Sequence, residues 1–191
     1  MEELEALRRC REGDRAAFRL LVEKYGDLVT RSAYLMTHGP DLADDLAQDT
    51  FLAAWRGLGK FDLGRPFKPW LLRILVNCWL NHRRRRRPRL VSLENVKATT
   101  VAGGGPSPER MAVLHETHRS VRQAIESLDD GQRVTLLLRY FAGLSVAEIA
   151  RAMSCPEGTV KSRLHRALAE LRARLRDQYA VTAGADVHGA D

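Results

Sequence analysis

The segment between Pro88 and Pro108 constrains this chain more than any other, because it can sustain neither a helix nor a hydrophobic core. It contains the glycine run 103–105 and a further proline at 106. Glycine loses the most backbone freedom on ordering, and proline removes a helical hydrogen bond. The composition therefore predicts a linker over 89–107 between two small domains, although a length of 191 residues would also allow one domain.

Before the linker, apolar residues recur at helical spacing from Leu4 to Leu80, without the alternation typical of strands. Breaks divide this segment into four predicted helices, and they fall at 12–14, 38–40 and 57–69. Asp14 and Asp41 stand at two of these breaks, where their carboxylates can accept hydrogen bonds from first-turn amides. We predict a helical domain over 1–88 with both aspartates as N-caps.

Beyond the linker we predict a second helical domain over 108–179, followed by a disordered tail over 180–191. Its helices are expected to begin at Ser107, at Asp129 or Asp130, at Ser145 and near Pro156. Gly143 is expected to end the second of them. Ser145 and Glu148 have the spacing of a capping box, in which each side chain accepts a hydrogen bond from the other residue's amide.

The charge balance predicts a polyanion among the partners. Lysine and arginine number 31 against 24 acidic residues, which gives a net charge of +7. Aromatic residues make up only 6% of the chain, which favours small helical cores of Leu, Ala and Val over a β-sandwich. The fold class predicted from these observations is all-α.

The cysteines and the N-terminus indicate a cytoplasmic protein. Cys10, Cys78 and Cys155 lie far apart with no CxxC pair, so neither a disulfide framework nor a cysteine zinc site is predicted. Residues 1–11 lack the apolar core of a signal peptide, and no segment approaches the ~20 apolar residues of a membrane span. We expect no direct membrane insertion.

The C-terminal helices have the layout of a helix-turn-helix: a short helix, a break at Ser154-Cys155 and a longer helix. Common units of this kind carry glycine in the turn, so Ser154 predicts a different turn conformation. An apolar stripe from Val160 to Leu175 leaves the opposite face polar. The candidate DNA contacts on that face are Thr159, Lys161, Ser162, His165, Arg166 and Arg172. A solvated basic helix is the alternative.

Asp45, Gln48, Asp49 and Leu52 share one face of the predicted helix from Asp41. An acidic patch on a basic protein does not suit DNA, so the functional interpretation is a docking surface for a basic protein partner. A solvated helix face is the alternative, and the residues alone do not decide between them.

The loop from Lys60 to Trp70 mixes aromatic rings, cations and turn formers. Phe61, Phe67 and Lys68 are candidates for holding unstacked bases, because rings stack on bases and cations track the backbone. The alternative is that the rings fill the core, which is the favoured interpretation of Trp70.

The helix after this loop carries a continuous polar stripe made of Arg73, Asn77, Asn81 and Arg84. Asparagine is disfavoured in the middle of a helix, so two of them in one stripe indicate polar contacts. The arginine run 83–87 repels itself and favours phosphates nearby. A solvated, frayed helix end is the alternative.

Three motifs in order, DLAQDTFLAAW, FKPWLLRILVN and GLSVAEIARAMSCPEGTVKSRLHRAL, resemble the extracytoplasmic-function sigma factors of the sigma-70 family. The resemblance runs from about Glu12 to Leu175. It implies a region 2 domain that binds polymerase and melts the minus-ten element, and a region 4 domain that reads the minus-thirty-five element. The implied partners are the core RNA polymerase, promoter DNA and an anti-sigma factor.

The resemblance also implies roles for individual residues. Asp45, Gln48 and Asp49, with Leu52 on the same face, would bind the clamp helices of the largest polymerase subunit. Minus-ten contacts would come from Phe61, Phe67 and Lys68 around a flipped base and from the stripe of Arg73, Asn77, Asn81 and Arg84. Minus-thirty-five contacts would come from Lys161, Ser162, His165 and Arg166, with Thr159 and Arg172 beside them.

Two other classes of function compete with this interpretation. A stand-alone helix-turn-helix regulator would have the same DNA chemistry, but it leaves the acidic helix and the aromatic loop without a role. An enzyme is the third class, and His115 and His118 could supply at most two metal ligands. No HExxH, P-loop or serine-histidine motif occurs, so we expect no catalytic site, metal or cofactor.

Overall fold

The computed structural model describes residues 2–37, 39–85 and 120–185, and every regular element in these ranges is helical. The helices are α1 (Glu3–Arg11), α2 (Arg15–Thr37), α3 (Pro40–Gly57), α4 (Phe67–Arg85), α5 (120–126), α6 (Asp130–Leu136), α7 (Val146–Met153) and α8 (Glu157–Ala185). A short 3-10 helix, Leu58–Lys60, follows α3, and a π-helical segment, Leu137–Phe141, continues α6. The all-α prediction is confirmed.

The chain forms two compact units. The first consists of Met1–Ser92 and Leu137–Val160, and the second consists of Leu93–Leu136 and Lys161–Asp191. The first unit therefore contains α1 to α4, the π-helical segment, α7 and the start of α8. The predicted linker over 89–107 lies outside the described residues, so the predicted domain boundaries stay a prediction.

The core of the first unit follows from the helical spacing of its apolar residues. On α2, Leu21, Tyr25, Val29, Ala33 and Met36 recur at intervals of three or four and are all buried. This stripe packs against α1 and α3, and α4 packs against α3 and α7. The hydrophobic stripe thus fixes which face of α2 turns inward and places α3 and α4 around it.

The start of α2 is capped as predicted. The Asp14 Oδ1 atom accepts hydrogen bonds from the amides of Ala16 at 2.8 Å and Ala17 at 3.1 Å. The Arg9 guanidinium donates to the other carboxylate oxygen, Oδ2, at 2.8 Å. The pKa of Asp14 is held below its usual value mainly by the hydrogen bond from the Ala17 amide, and next by the hydrogen bond from the Arg9 side chain.

The predicted cap at Asp41 is wrong. Helix α3 begins one residue earlier, at Pro40, with Gly39 as its N-cap and no side-chain cap bond. Proline suits the first helical position because it lacks only an amide that has no intrahelical acceptor. Asp41 therefore lies within the first turn, where its charge is favourable beside the amino end of the helix.

The caps predicted for α6 and α7 are confirmed. Asp129 accepts a hydrogen bond from the Gln132 amide at 2.9 Å, and α6 begins at Asp130. Ser145 and Glu148 form the capping box, in which the Ser145 amide donates to the Glu148 Oε2 atom at 2.8 Å. This backbone bond holds the pKa of Glu148 below its usual value. Gly143, just before the box, has a φ of +70°.

Helix α8 extends further than the sequence indicated. It continues through Ala185, so the predicted end near Tyr179 and the disordered tail are wrong over 180–185. The rest of the predicted tail lies outside the described residues. The helix predicted from Ser107 to Leu128 is described only from residue 120, as α5.

The second unit has a small aliphatic core in which Leu128, Leu136 and Ala167 are buried. Arg133 is buried beside them, with 5% of its side chain exposed. It donates to the Leu128 carbonyl at 3.1 Å and forms an ion pair with Asp130. The Arg133 Nε atom has no hydrogen-bond partner among the described residues. The arginine thus ties the turn before α6 to the core.

Candidate functional site

Helix α3 presents the predicted acidic face to solvent. Asp45, Gln48, Asp49 and Leu52 are all exposed, and Leu52 is 48% exposed although it is apolar. The opposite face of α3 is buried through Ala43, Leu46, Ala47, Thr50 and Ala54. The structure therefore brings the predicted docking residues together as a continuous surface, which we call the α3 face.

Asp49 on this face has a partner that sequence reasoning missed. The His82 Nε2 atom on α4 lies 3.1 Å from the Asp49 Oδ2 atom on α3. One turn earlier on α4, Cys78 lies against Thr50, and burial raises the pKa of its thiol. Neither contact leaves a local signal in the sequence, because the pairing depends on how α3 and α4 pack.

The aromatic loop between α3 and α4 is held by its rings. Phe61 packs edge-on against Phe67 with ring centroids 5.7 Å apart, and Trp70 lies 4.7 Å from Phe61. Phe67 also packs against Tyr25 of α2 at 5.4 Å. These distances are typical of stabilising aromatic pairs. The cluster fixes the loop to the core of the first unit.

This packing corrects the prediction for Phe61 and Phe67. They are 4% and 1% exposed, so neither presents a ring face on which a base could stack. The alternative interpretation of core-filling rings describes them better. Trp70, for which that role was favoured, packs against both rings and is partly exposed.

A cavity of about 610 Å³ opens beside this loop within the first unit. Its lining includes Lys60, Arg65 and Arg73, the exposed part of Trp70, and Glu148 on α7. Arg65 forms an ion pair with the neighbouring Asp62 at 3.1 Å. Cations beside a ring suit an anionic ligand that has a flat aromatic portion.

The polar stripe predicted on α4 is exposed along its whole length. Arg73, Asn77, Asn81 and Arg84 are exposed, whereas the opposite face of the helix is buried. Lys68, in the first turn of α4, is half-buried and helps to lower the pKa of Glu148. The arginines of the run beyond Arg85 lie outside the described residues.

The turn between α7 and α8 differs from the prediction. Ser154 has φ 51° and ψ 47°, which is the left-handed conformation that glycine adopts easily. The turn therefore has the backbone conformation expected for glycine although serine occupies the position. Serine is sterically strained in this conformation. The Cys155 amide donates to the Ala150 carbonyl at 3.0 Å and closes the end of α7.

Helix α8 carries the predicted DNA-contact residues on one broad exposed face. Lys161, Ser162, His165, Arg166 and Arg172 are exposed, and Thr159 is half-buried. Val160 and Ala167 are fully buried, which orients the helix. The Arg166 Nε atom donates to the Ser162 carbonyl at 3.3 Å, so this guanidinium lies along the helix surface.

Within the described ranges, no helix is both long and apolar enough to span a membrane. In the same residues no three histidine, cysteine or acidic side chains are grouped as metal ligands would be. His115 and His118, the two ligands considered from the sequence, lie outside the described residues.

Comparison with known proteins assigns both halves of the chain. The family model for sigma-70 region 2 matches residues 21–89, and the model for sigma-70 region 4 matches residues 118–171. The ECF RNA polymerase sigma factor SigW of Bacillus subtilis is 32% identical over 90% of this chain and 95% of its own. The sigma-H factor of Pseudomonas aeruginosa is 37% identical over 87% of this chain and 90% of its own.

Two solved structures share the fold. One is CnrH in complex with the cytosolic domain of CnrY, with a TM-score of 0.66, 29% identity and coverage of 92% of this chain and 97% of that chain. The other is the sigma factor RpoE of Bartonella quintana in complex with the anti-sigma factor NepR. Its TM-score is 0.69, its identity 26%, and coverage is 83% of this chain and 96% of that chain.

Proposed function

Because this chain belongs to the extracytoplasmic-function sigma factors of the sigma-70 family, we propose that its α3 face docks on the core RNA polymerase while α4 and α8 read promoter DNA. Its function is to direct transcription initiation. The assignment of the binding surfaces rests mainly on the α3 face. That face exposes acidic side chains and a leucine on a chain of net charge +7.

The α3 face suits the clamp helices of the largest polymerase subunit. Asp45 and Asp49 provide negative charge, and Gln48 provides an amide that can form hydrogen bonds. Leu52 adds apolar area at one end of the face. Complementary charge steers association and fixes the register of the docked helices, while the exposed leucine is an apolar contact at the interface.

The α4 stripe is proposed to contact the minus-ten element. Arg73 and Arg84 can neutralise phosphates, and Asn77 and Asn81 can hydrogen-bond to bases. Lys68 lies at the start of the same helix and is proposed to track the backbone of a flipped base. Phe61 and Phe67 have the role of holding the loop in place, because their faces are buried.

The α8 face is proposed to read the minus-thirty-five element in the major groove. Lys161, Arg172 and Thr159 are assigned to phosphates. Ser162, His165 and Arg166 are assigned to base edges. Replacing a phosphate contact should weaken binding to all sequences alike, whereas replacing a base contact should relax preference at one position.

The remaining proposals follow from the family. The RpoE structure was solved in complex with the anti-sigma factor NepR, and the CnrH structure in complex with the cytosolic domain of CnrY; we propose an anti-sigma factor as a partner of this chain on that basis. We place the protein in the cytoplasm, where the polymerase is, and give it no catalytic site of its own. The proposed division is region 2 over 1–88, linker over 89–107, and region 4 over 108–179.

Charge reversal on α3 tests the docking surface. Asp45→Lys places like charge against the basic partner, so affinity for core polymerase should fall by at least about tenfold, and run-off transcription with it. Asp44→Lys is the matched control, because it makes the same charge change about 100° around the same helix. Equal affinities for both variants would count against the α3 face.

The competing class is tested in the same preparation. A sigma factor should give promoter-specific transcripts only together with core polymerase. A specific gel shift by the protein alone at physiological salt would instead favour a stand-alone regulator.

A further inference from the structure

We propose that His82 is a positioning residue for polymerase docking. Through its contact with Asp49, it also lowers the affinity for polymerase in mildly acidic solution. The inference rests on the proposed function, because it assumes that Asp49 meets the polymerase. It assigns a role to a side chain that belongs neither to the α3 face nor to the polar stripe of α4.

The contact joins two helices with different proposed tasks. The His82 Nε2 atom on α4 lies 3.1 Å from the Asp49 Oδ2 atom on α3. His82 is mostly covered, with 28% of its side chain exposed, whereas Asp49 is 54% exposed. The more buried imidazole thus holds the more exposed carboxylate.

This contact leaves one oxygen of Asp49 for a partner. In the part of the chain that the structure describes, the Oδ1 atom makes no hydrogen bond or ion pair of its own. A carboxylate that is already oriented loses less side-chain freedom when a cation binds it. His82 therefore improves docking without touching the polymerase.

Protonation of the imidazole would reverse this benefit. A neutral imidazole with a proton on Nε2 donates to Asp49 and leaves the carboxylate fully charged for its partner. A doubly protonated imidazole carries a positive charge beside the carboxylate and competes with the cation of the partner. Histidine is the side chain whose charge ordinarily changes between about pH 5 and pH 8.

The other charged groups near this pair act on it in opposite directions. On α3, Asp45 lies one turn before Asp49 and adds negative charge. On α4, Cys78 lies one turn before His82, and the arginines 83–85 follow it and add positive charge.

Three ionisable groups on the remaining elements that pack on α4 lie toward its other end. Tyr25 of α2 contacts Phe67, and Glu148 and Arg151 of α7 line the cavity beside Trp70. These groups lie about three helical turns or more from His82 along α4. The carboxylate of Asp49 is therefore the group that meets the imidazole directly.

The test measures affinity of the full-length chain for core polymerase, without DNA, at about pH 7.5 and about pH 6. Four variants are compared with the unmodified chain: His82→Ala, His82→Gln, Asp49→Asn and the double variant that combines Asp49→Asn with His82→Ala. Glutamine can donate from nearly the same position as Nε2 but does not titrate. It is therefore the control for pH effects that arise in the polymerase.

At the higher pH, His82→Ala should lower affinity about threefold, and His82→Gln should restore most of that loss, given the modest strength of partly exposed contacts. On acidification, the unmodified chain should lose about threefold more affinity than His82→Gln. In an Asp49→Asn background, His82→Ala should have no further effect, because the carboxylate that it orients is gone.

The possible outcomes separate the two levels of inference. If Asp49→Asn weakens docking but the unmodified chain and His82→Gln show the same pH dependence, the role of His82 is refuted while the proposed function stands. If Asp49→Asn leaves affinity unchanged, the docking assignment of Asp49 fails and the inference fails with it. Circular dichroism of each variant separates either result from unfolding.

Discussion

The two compact units are stabilised in different ways. In the first unit, aromatic rings join helices and loop: Phe18 packs against Trp55 with centroids 5.0 Å apart, and Tyr25 packs against Phe67 at 5.4 Å. The described core of the second unit is aliphatic, and a buried arginine, Arg133, closes the turn before α6 with hydrogen bonds.

The difference predicts that the two units respond differently to substitution. A buried aromatic ring packs against segments that are far apart in sequence. Because the ring is large, replacing it with a small side chain leaves a large cavity. A buried arginine stabilises the fold through its hydrogen-bond and ion-pair partners. Removing the charged partner leaves the buried guanidinium charge uncompensated. The stability of the first unit should therefore be most sensitive to substitutions that remove side-chain volume. The stability of the second unit should be most sensitive to substitutions that remove a hydrogen-bond or ion-pair partner.

The largest effect is expected at Phe67. Phe67→Ala should lower the free energy of unfolding by about 3–5 kcal/mol, because a fully buried ring is removed from a cluster that includes Phe61 and Trp70. Urea denaturation followed by circular dichroism measures the loss. Lys68→Ala is the neighbouring control and should change stability little, since Lys68 is half-buried and at a helix start.

A stable Phe67→Ala protein with a selective defect in promoter opening would contradict this expectation. It would restore the base-stacking interpretation and weaken the contrast between the two units.

The next effect is expected in the second unit. Asp130→Ala should cost about 2 kcal/mol, less than for a fully buried pair because 31% of the Asp130 side chain is exposed. It leaves the Arg133 charge buried without its carboxylate. Adding Arg133→Met should recover part of the loss, and a double-mutant cycle by urea denaturation measures the coupling. A double variant as unstable as the sum of the single variants would show that the ion pair contributes nothing.

Sequence reasoning was most successful where structure is decided locally. The capping box of Ser145 and Glu148 involves residues three positions apart, and the polar stripes follow from helical periodicity alone. Even local rules compete, however. At the start of α3, the preference of Pro40 for the first helical position placed the N-cap at Gly39 and left Asp41 inside the helix.

Burial of the loop rings could not be predicted in the same way. Whether Phe67 faces solvent depends on Tyr25, which belongs to another helix far earlier in the chain. The pairing of Asp49 with His82 has the same origin, since it depends on how α3 and α4 pack. Composition and periodicity identify which residues carry chemistry, and tertiary contacts decide which of them are accessible.

A smaller effect of opposite sign is expected at the turn before α8. Ser154→Gly should stabilise the protein by about 0.5–1 kcal/mol, because it relieves the left-handed strain and loses part of that gain to unfolded-state entropy. Ser154→Ala keeps the strain and is the matched control. Thermal unfolding compares the two variants, and equal stabilities would mean that the serine conformation carries no net strain.

The smallest effect concerns pH and the cap of α2. The amide of Ala17 and the side chain of Arg9 lower the pKa of Asp14, so this carboxylate stabilises the fold when ionised. That contribution is fully present above the unfolded-state value of about 3.9 and is lost as the pH falls through the lower folded value. Asp14→Asn keeps a good cap but should flatten the decline in stability below about pH 4. An unchanged acid profile would show that Asp14 does not contribute to it.

The placement of the indole rings has a practical consequence. All three tryptophans, Trp55, Trp70 and Trp79, lie in the first unit. Tryptophan fluorescence, excited selectively over tyrosine, therefore reports on that unit alone, while far-ultraviolet dichroism reports on the helices of both units. Denaturation curves that coincide for the two signals would mean one cooperative transition. A dichroism change at constant tryptophan emission would instead belong to the second unit, which contains no tryptophan.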